Sequence, residues 1–170
     1  MRSNLRCGGV IMVALGAALL LSACGFHLRG SVQLPPVLKE VYLQSNSPFK
    51  GITPVLRDQL LSAGAKVVEQ AEDATAVIHI LNERSERRVL SVGSTGRASE
   101  YELYEEVTFS VNDPEGKELL KPQTLSLTRD LVFYEAGLLG KVEEAEQLRK
   151  KMLRTLSRQI ITRIQVGMGR

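Results

Sequence analysis

"ASEYELYEEVTFSVNDPEGKELLKPQTLSLTRDLVF", residues 98–133, decides the fold. Over 98–112, Tyr101, Leu103, Val107, Phe109 and Val111 fall on one face, and Glu102, Tyr104, Glu106, Thr108 and Ser110 on the other. A period of two belongs to a strand with one face in the core. Asp113-Pro114-Glu115-Gly116 reads as a turn. Leu125, Leu127, Leu131 and Phe133 then alternate with Ser126, Thr128, Asp130 and Val132 in a second strand. Glu105 is the one residue out of step. Alternation sends Glu100, Glu102 and Glu106 to the polar face and leaves Glu105 opposite; the cluster is expected to be a solvated strand face with cross-strand pairing, in preference to a carboxylate pair for catalysis or a calcium site.

Upstream, Val77, Ile78, Ile80 and Leu81 begin a strand that continues through a charged stretch to Val89, Leu90 and Val92, where Gly93-Ser94-Thr95-Gly96 breaks it. Three consecutive strands joined by tight turns make a meander. Arg84 and Arg87 are expected roughly opposite Glu105 and Glu102. Further upstream, Val41–Gln44 is a short strand. Thr53-Pro54 supplies an N-cap and an N1 proline for a helix striped by Leu56, Leu60 and Leu61, with Gly64 at its C′ position. At the other end, Ala145, Leu148, Met152, Leu156, Ile160 and Ile164 keep helical spacing from about Val142 to Val166. Glutamates come early in that helix and basic residues late, as its dipole favours. The element order predicts an α+β, two-layer sandwich: two helices packed on one face of a four-stranded, mostly antiparallel sheet. At about 3.4 Å per residue the strand 98–112 extends roughly 50 Å, and an eleven-residue first helix only about 16 Å. Part of the hairpin is therefore expected to project past its helices.

The N-terminus carries a different signal. Arg2 and Arg6 precede the apolar run Val10–Leu21, and no further charge appears until Arg29. The run is too short for a spanning helix, which needs about 20 apolar residues, and reads as the h-region of a secretory leader. It ends in Leu21-Ser22-Ala23-Cys24, which resembles the lipobox of bacterial lipoproteins. Residues 1–23 are then the leader, 24–36 a lipidated tether containing Leu34-Pro35-Pro36, and 37–170 one domain. Cys24 would be the only cysteine left after Cys7 departs with the leader, and a thioether to lipid removes a free thiol from an oxidising compartment. Gly25, in place of Asp, resembles the sorting signal for the outer membrane.

Composition sets further bounds. The formal charge of the whole chain is +3, but Arg2 and Arg6 leave with the leader, and the remaining 20 basic and 19 acidic residues nearly cancel. No nucleic-acid partner is expected on that balance. Tryptophan is absent and aromatic residues make up 5%, too few for a sugar-stacking platform. Of the two histidines, His27 lies in the tether and His79 in an apolar strand, where a structural role is expected. No Gly-x-Ser-x-Gly elbow, His-Glu-x-x-His pair, cysteine cluster or phosphate loop occurs. The expectation is a non-enzyme without cofactor or metal.

Cys24-Gly25-Phe26-His27-Leu28-Arg29, Gln33-Leu34-Pro35, Ser99-Glu100-Tyr101-Glu102 and the basic closing helix together resemble the LPS-assembly lipoprotein family, LptE (RlpB). The resemblance implies a lipoprotein that plugs the large outer-membrane β-barrel LptD, supports its assembly and binds lipopolysaccharide (LPS) on the way to the outer leaflet. It implies an outer-membrane location, lipid-anchored, on the periplasmic side and in the barrel lumen. On it Ser94, Thr95 and Gly96 become a barrel-contact loop. The meander brings the 93–97 tip and the loop before the last helix to one end, so Arg97 and Lys141 are expected to form an LPS-contacting patch. Another class, an adaptor lipoprotein of a different envelope machine such as the barrel-assembly complex, would differ in which barrel it binds. A lipid-anchored hydrolase would differ by turnover lost on replacing one acid or His79.

Overall fold

Alternation dictates strands, and a computed structural model shows five of them. It describes residues 34–93, 96, 98–132 and 138–168, those at 98 and 138–141 by backbone alone. After a 3-10 turn at Pro36–Leu38 come β1 (Glu40–Ser45), α1 (Ile52–Ser62), β2 (Lys66–Val68) and a second 3-10 turn at Ala71–Asp73. Then follow β3 (Ala76–Val92), β4 (Ala98–Asn112), β5 (Glu118–Val132) and α2 (Leu138–Met168). The sheet order is β2-β1-β3-β4-β5.

The sheet thus has five strands where four were expected. The extra one, Lys66-Val67-Val68, is too short to show alternation, and it pairs parallel to β1 with Val41 opposite Val67. The sheet is mixed, with most of its paired length antiparallel as expected. β1 lies parallel to both β2 and β3, and β3, β4 and β5 form the antiparallel meander. Helix α1 is the crossover that a parallel β1–β2 pair requires.

The start of α1 also differs. Its N-cap is Gly51 at φ 64°, and the free Ile52 N–H donates to Glu83 Oε2 at 2.8 Å. A strand residue 31 positions away does what a neighbouring hydroxyl usually does. Glycine is required at 51 twice over: the backbone is left-handed, and a Cβ would collide with the Glu83 carboxylate. Thr53 lies inside the first turn, buried, and donates to Ser45 Oγ at 2.9 Å. The C-terminus is as expected. Gly64 has φ 91°, and Ala65 N–H donates to Leu60 C=O at 2.9 Å while Gly64 N–H donates to Leu61 C=O at 3.0 Å. That bond pair is a Schellman motif.

The β3–β4 register places Arg84 opposite Glu106, Arg88 opposite Glu102 and Arg87 opposite Leu103. The expected pairs, Arg84 with Glu105 and Arg87 with Glu102, are each one residue out. Irregularities at Ile80/Asn82, and near the tip at Val89/Ser91 and Ser91/Val92, shift the count. A shift of one residue exchanges faces.

Both helices lie on one face, over a core of Ile78, Val107, Phe109, Val111, Leu56, Leu60, Leu156, Ile160 and Ile164. α2 runs 31 residues, longer at both ends than Val142 to Val166, and about 46 Å in length. It is this helix, not α1, that covers the hairpin: Arg149 meets Glu105 and Gly167 lies against Leu120. Leu103 and Leu131 are still buried, whereas Val89, Leu90, Val92 and Val132 are exposed. The uncovered part is confined to the tip.

Phe109 is fully buried at the centre of the sheet. Phe109→Ala should lower stability by about 3–5 kcal/mol through lost apolar transfer and a residual cavity, measured by urea unfolding.

Candidate functional site

Among the residues singled out above, Gly96 is described in the β3–β4 turn, at φ 78°, its N–H donating to Gly93 C=O at 2.9 Å. Cys24, Ser94, Thr95 and Arg97 lie outside the described residues, and so does the side chain of Lys141. Lys141 belongs by its backbone to the first turns of α2. Val132, at the end of β5, pairs with Glu100, and α2 begins six residues later.

Where β1 ends, a cleft of about 560 Å³ opens between the start of α1, the helix-facing side of β3–β4 and α2. Glu105 forms its floor. The alternation left it opposite the polar face, and there it is buried, 5% exposed, not part of a solvated cluster. Its place out of the alternation was a real signal, since β4 directs position 105 to the helix side together with Leu103 and Val107. Ser85, its register partner, donates to Glu105 Oε1 at 2.7 Å. Arg149 Nε of α2 stands 3.3 Å from the same oxygen, an ion pair without hydrogen-bond geometry. Burial raises the Glu105 pKa, against the Ser85 hydrogen bond and the Arg149 charge. Glu83, half-buried at the mouth, is raised by burial too, opposed by the Ile52 N–H. Lys50 and Lys150 complete the rim.

On the opposite, helix-free face the hairpin carries its own lattice. Arg84 and Arg88 both pair with Glu86, and Arg88 reaches Glu102 at 3.3 Å. Their guanidinium carbons lie 5.8 and 4.4 Å from the Tyr104 ring centre, close enough for cation–π attraction. Hydrogen bonds from Arg84 and Arg88 pull the Glu86 pKa down. Tyr104 donates to Glu106, which raises the Tyr104 pKa. His79 sits farther down, opposite Ser110, its pKa lowered by partial burial. This arrangement stiffens a surface and neutralises its charge; it presents no activated nucleophile.

Residues 38–164 match the family model described as LptE, lipopolysaccharide-assembly. The chain belongs to the LptE family. It is 30% identical over 160 residues to the LPS-assembly lipoprotein LptE of Yersinia enterocolitica, covering 92% of this chain and 76% of that protein. It is 29% identical over 157 residues to the LPS-assembly lipoprotein LptE of Pectobacterium atrosepticum, covering 89% and 83%. Among solved structures it resembles lipoprotein B of Nitrosomonas europaea, with TM-score 0.67, 35% identity and coverage of 84% of this chain and 90% of that one. It also resembles rare lipoprotein B of Shewanella oneidensis, with TM-score 0.63, 31% identity and coverage of 74% and 92%. The α+β sandwich with its five-stranded mixed sheet is thus shared with LptE-like lipoproteins. Among the described residues no helix is long and apolar enough to cross a membrane.

Two measurements test the cleft. Glu83→Ala should cost about 1 kcal/mol, as loss of a helix cap does, while Glu83→Gln keeps an acceptor for Ile52 N–H and should cost less. Because the Glu105 pKa is raised in the folded chain, that state binds more protons between the ordinary carboxylate pKa and the raised one. The Glu105 contribution therefore grows more favourable as pH falls through that window and is constant below it. Glu86, with its depressed pKa, acts oppositely at lower pH, so the variant difference is the clean readout. The stability of wild type relative to Glu105→Gln should increase on acidification from neutral pH, followed by urea midpoints across pH.

Proposed function

We propose that the chain is an outer-membrane lipoprotein that sits in the lumen of the LPS-translocating β-barrel LptD, supports assembly of that barrel and contacts lipopolysaccharide during delivery to the outer leaflet. The observation that carries this reading is the LptE family match across residues 38–164. Relatives from Yersinia and Pectobacterium bear LPS assembly in their names. The role is one of support and recognition, without catalysis or cofactor.

Physical features support it. The helix-free sheet face carries Thr108, Ser110, Thr124 and Ser126, and such hydroxyls suit the polar interior of a membrane barrel. Residues 1–23 are the leader and 24–36 the tether. Acyl chains on Cys24 hold this end at the membrane. Arg97 and Lys141 form a phosphate-binding pair for lipid A and core sugars: Arg as a two-pronged donor, Lys as a point charge.

Affinity purification from detergent-solubilised outer membranes should recover one barrel per chain. Recovery of the barrel-assembly complex in its place would assign the protein to that machine. Cys24→Ala should accumulate as an uncleaved precursor, visible as a mass increase; an unlipidated mature chain in wild-type membranes would overturn the anchor. The double variant Arg97→Glu, Lys141→Glu should keep the barrel and bind LPS more weakly with less salt sensitivity, and unchanged LPS binding would end the patch.

A further inference from the structure

The sheet leaves three edges open, and it guards two of them. β2 is blunted to three residues. β3 loses its neighbour β1 past Ile80, and its free half carries Glu83, Arg84, Glu86, Arg87 and Arg88 between irregularities at Ile80/Asn82 and Val89/Ser91. Shortness, charge and bulges are the means by which native sheets prevent edge pairing. β5 is built otherwise. Its proline and its two irregularities all fall before Gln123, where the register passes from Phe109↔Gln123 through Val111↔Leu120 to Asn112↔Glu118. From Gln123 to Val132 ten successive residues pair with β4 without a shift. Only Arg129 and Asp130 are charged there. α2 packs over the face of β5 and β4 lies at its inner side; no further strand adjoins it among the described residues.

We propose that the open edge of β5, residues 123–132, is a strand-addition site that takes an extended segment of the barrel partner by main-chain hydrogen bonds. The proposal rests on the barrel-plug reading above. Direction comes from Thr128, whose carbonyl accepts from Arg129 Nη1 at 2.8 Å, as a carbonyl turned away from the β4 ladder does. In an antiparallel strand the N–H and C=O of one residue point the same way and alternate along the chain. Ser126, Thr128 and Asp130 therefore offer their main chain outward, and Leu125, Leu127 and Leu131 offer theirs to β4.

Side chains specify the incoming strand. On the helix side Leu125 and Leu127 pack on the core yet stay only half-covered. On the other side Thr124 and Ser126 are exposed, with Thr128 beside them. A complementary segment has apolar residues at alternate positions, to finish the cover over the two leucines, and hydroxyl or small polar residues between them. A one-to-one complex inside a barrel leaves that edge to the barrel's own chain.

The test is hydrogen exchange on the intact, full-length chain bound to its detergent-solubilised barrel, quenched and read residue by residue. In the isolated chain the amides of Ser126, Thr128 and Asp130 should exchange fast, and in the complex they should slow by about tenfold or more. Ser126→Pro removes one outward N–H at a position where an edge strand accepts proline; it should fold as wild type by circular dichroism and recover about a tenth of the barrel. If that variant fails to fold, wild-type exchange decides alone. Failure of wild type to retain any barrel overturns both the plug reading and this proposal. Retention with those three amides as fast as in the isolated chain, or normal retention by folded Ser126→Pro, overturns strand addition alone. Concentration-dependent protection in the isolated chain would give the edge to a second copy and overturn the barrel segment as occupant.

Discussion

Past Ile80, β3 has no parallel neighbour, and the rest of the molecule is arranged around that loss. β1 pairs with it only from Ala76 to Ile80. Up to there the strand is buried between two partners; beyond, a narrower meander must hold its shape with cover on one face only. The amino acids change at the same place, from Ala-Val-Ile-His-Ile to Asn-Glu-Arg-Ser-Glu-Arg-Arg. An apolar strand exposed to water on one face would seek other strands. The ion pairs and the Tyr104 ring give the free face a charge lattice whose single pairs are each weak and whose joint geometry fixes the register.

The covered face of that same segment holds polar residues as well. Glu83, Ser85 and Arg87 point toward the helices because they lie opposite Val107, Glu105 and Leu103. Each has a contact suited to it: Glu83 the start of α1, Ser85 the buried Glu105, and Arg87 the Tyr101 ring at 4.8 Å. A buried carboxylate with an arginine partner contributes little net stability compared with an apolar pair of the same size. It does make misplacement costly, since sliding α2 along the sheet would strand Glu105 without Arg149.

Strands longer than a dozen residues can declare themselves by alternation, and β4 and β5 were legible for that reason, while β3 was legible from its apolar start and the glycine break after it. So were the Gly64 stop of α1 and the apolar stripe of α2. β2 was not, because three residues carry no period. The Thr53 cap misled because a threonine before proline is a local cue, while the acceptor that serves Ile52 comes from a strand 31 residues on. Register within the hairpin was out by one because bulges arise from three-dimensional fit and leave no mark in composition. Of the site, Glu105 was visible as an anomaly on an apolar face; its partner Arg149 was hidden, sitting beside the stripe of a helix rich in basic residues.

The distant cap of α1 has a consequence for the order in which the chain acquires structure. An eleven-residue helix with a glycine N-cap and no side-chain acceptor of its own is marginal in water. The acceptor that completes its first turn, Glu83, lies 31 residues farther along the chain. The helix therefore cannot be completed until β3 is in place. The cap that completes α1 thus joins residues 31 positions apart, a pairing that carries the kinetic cost that contacts far apart in sequence impose.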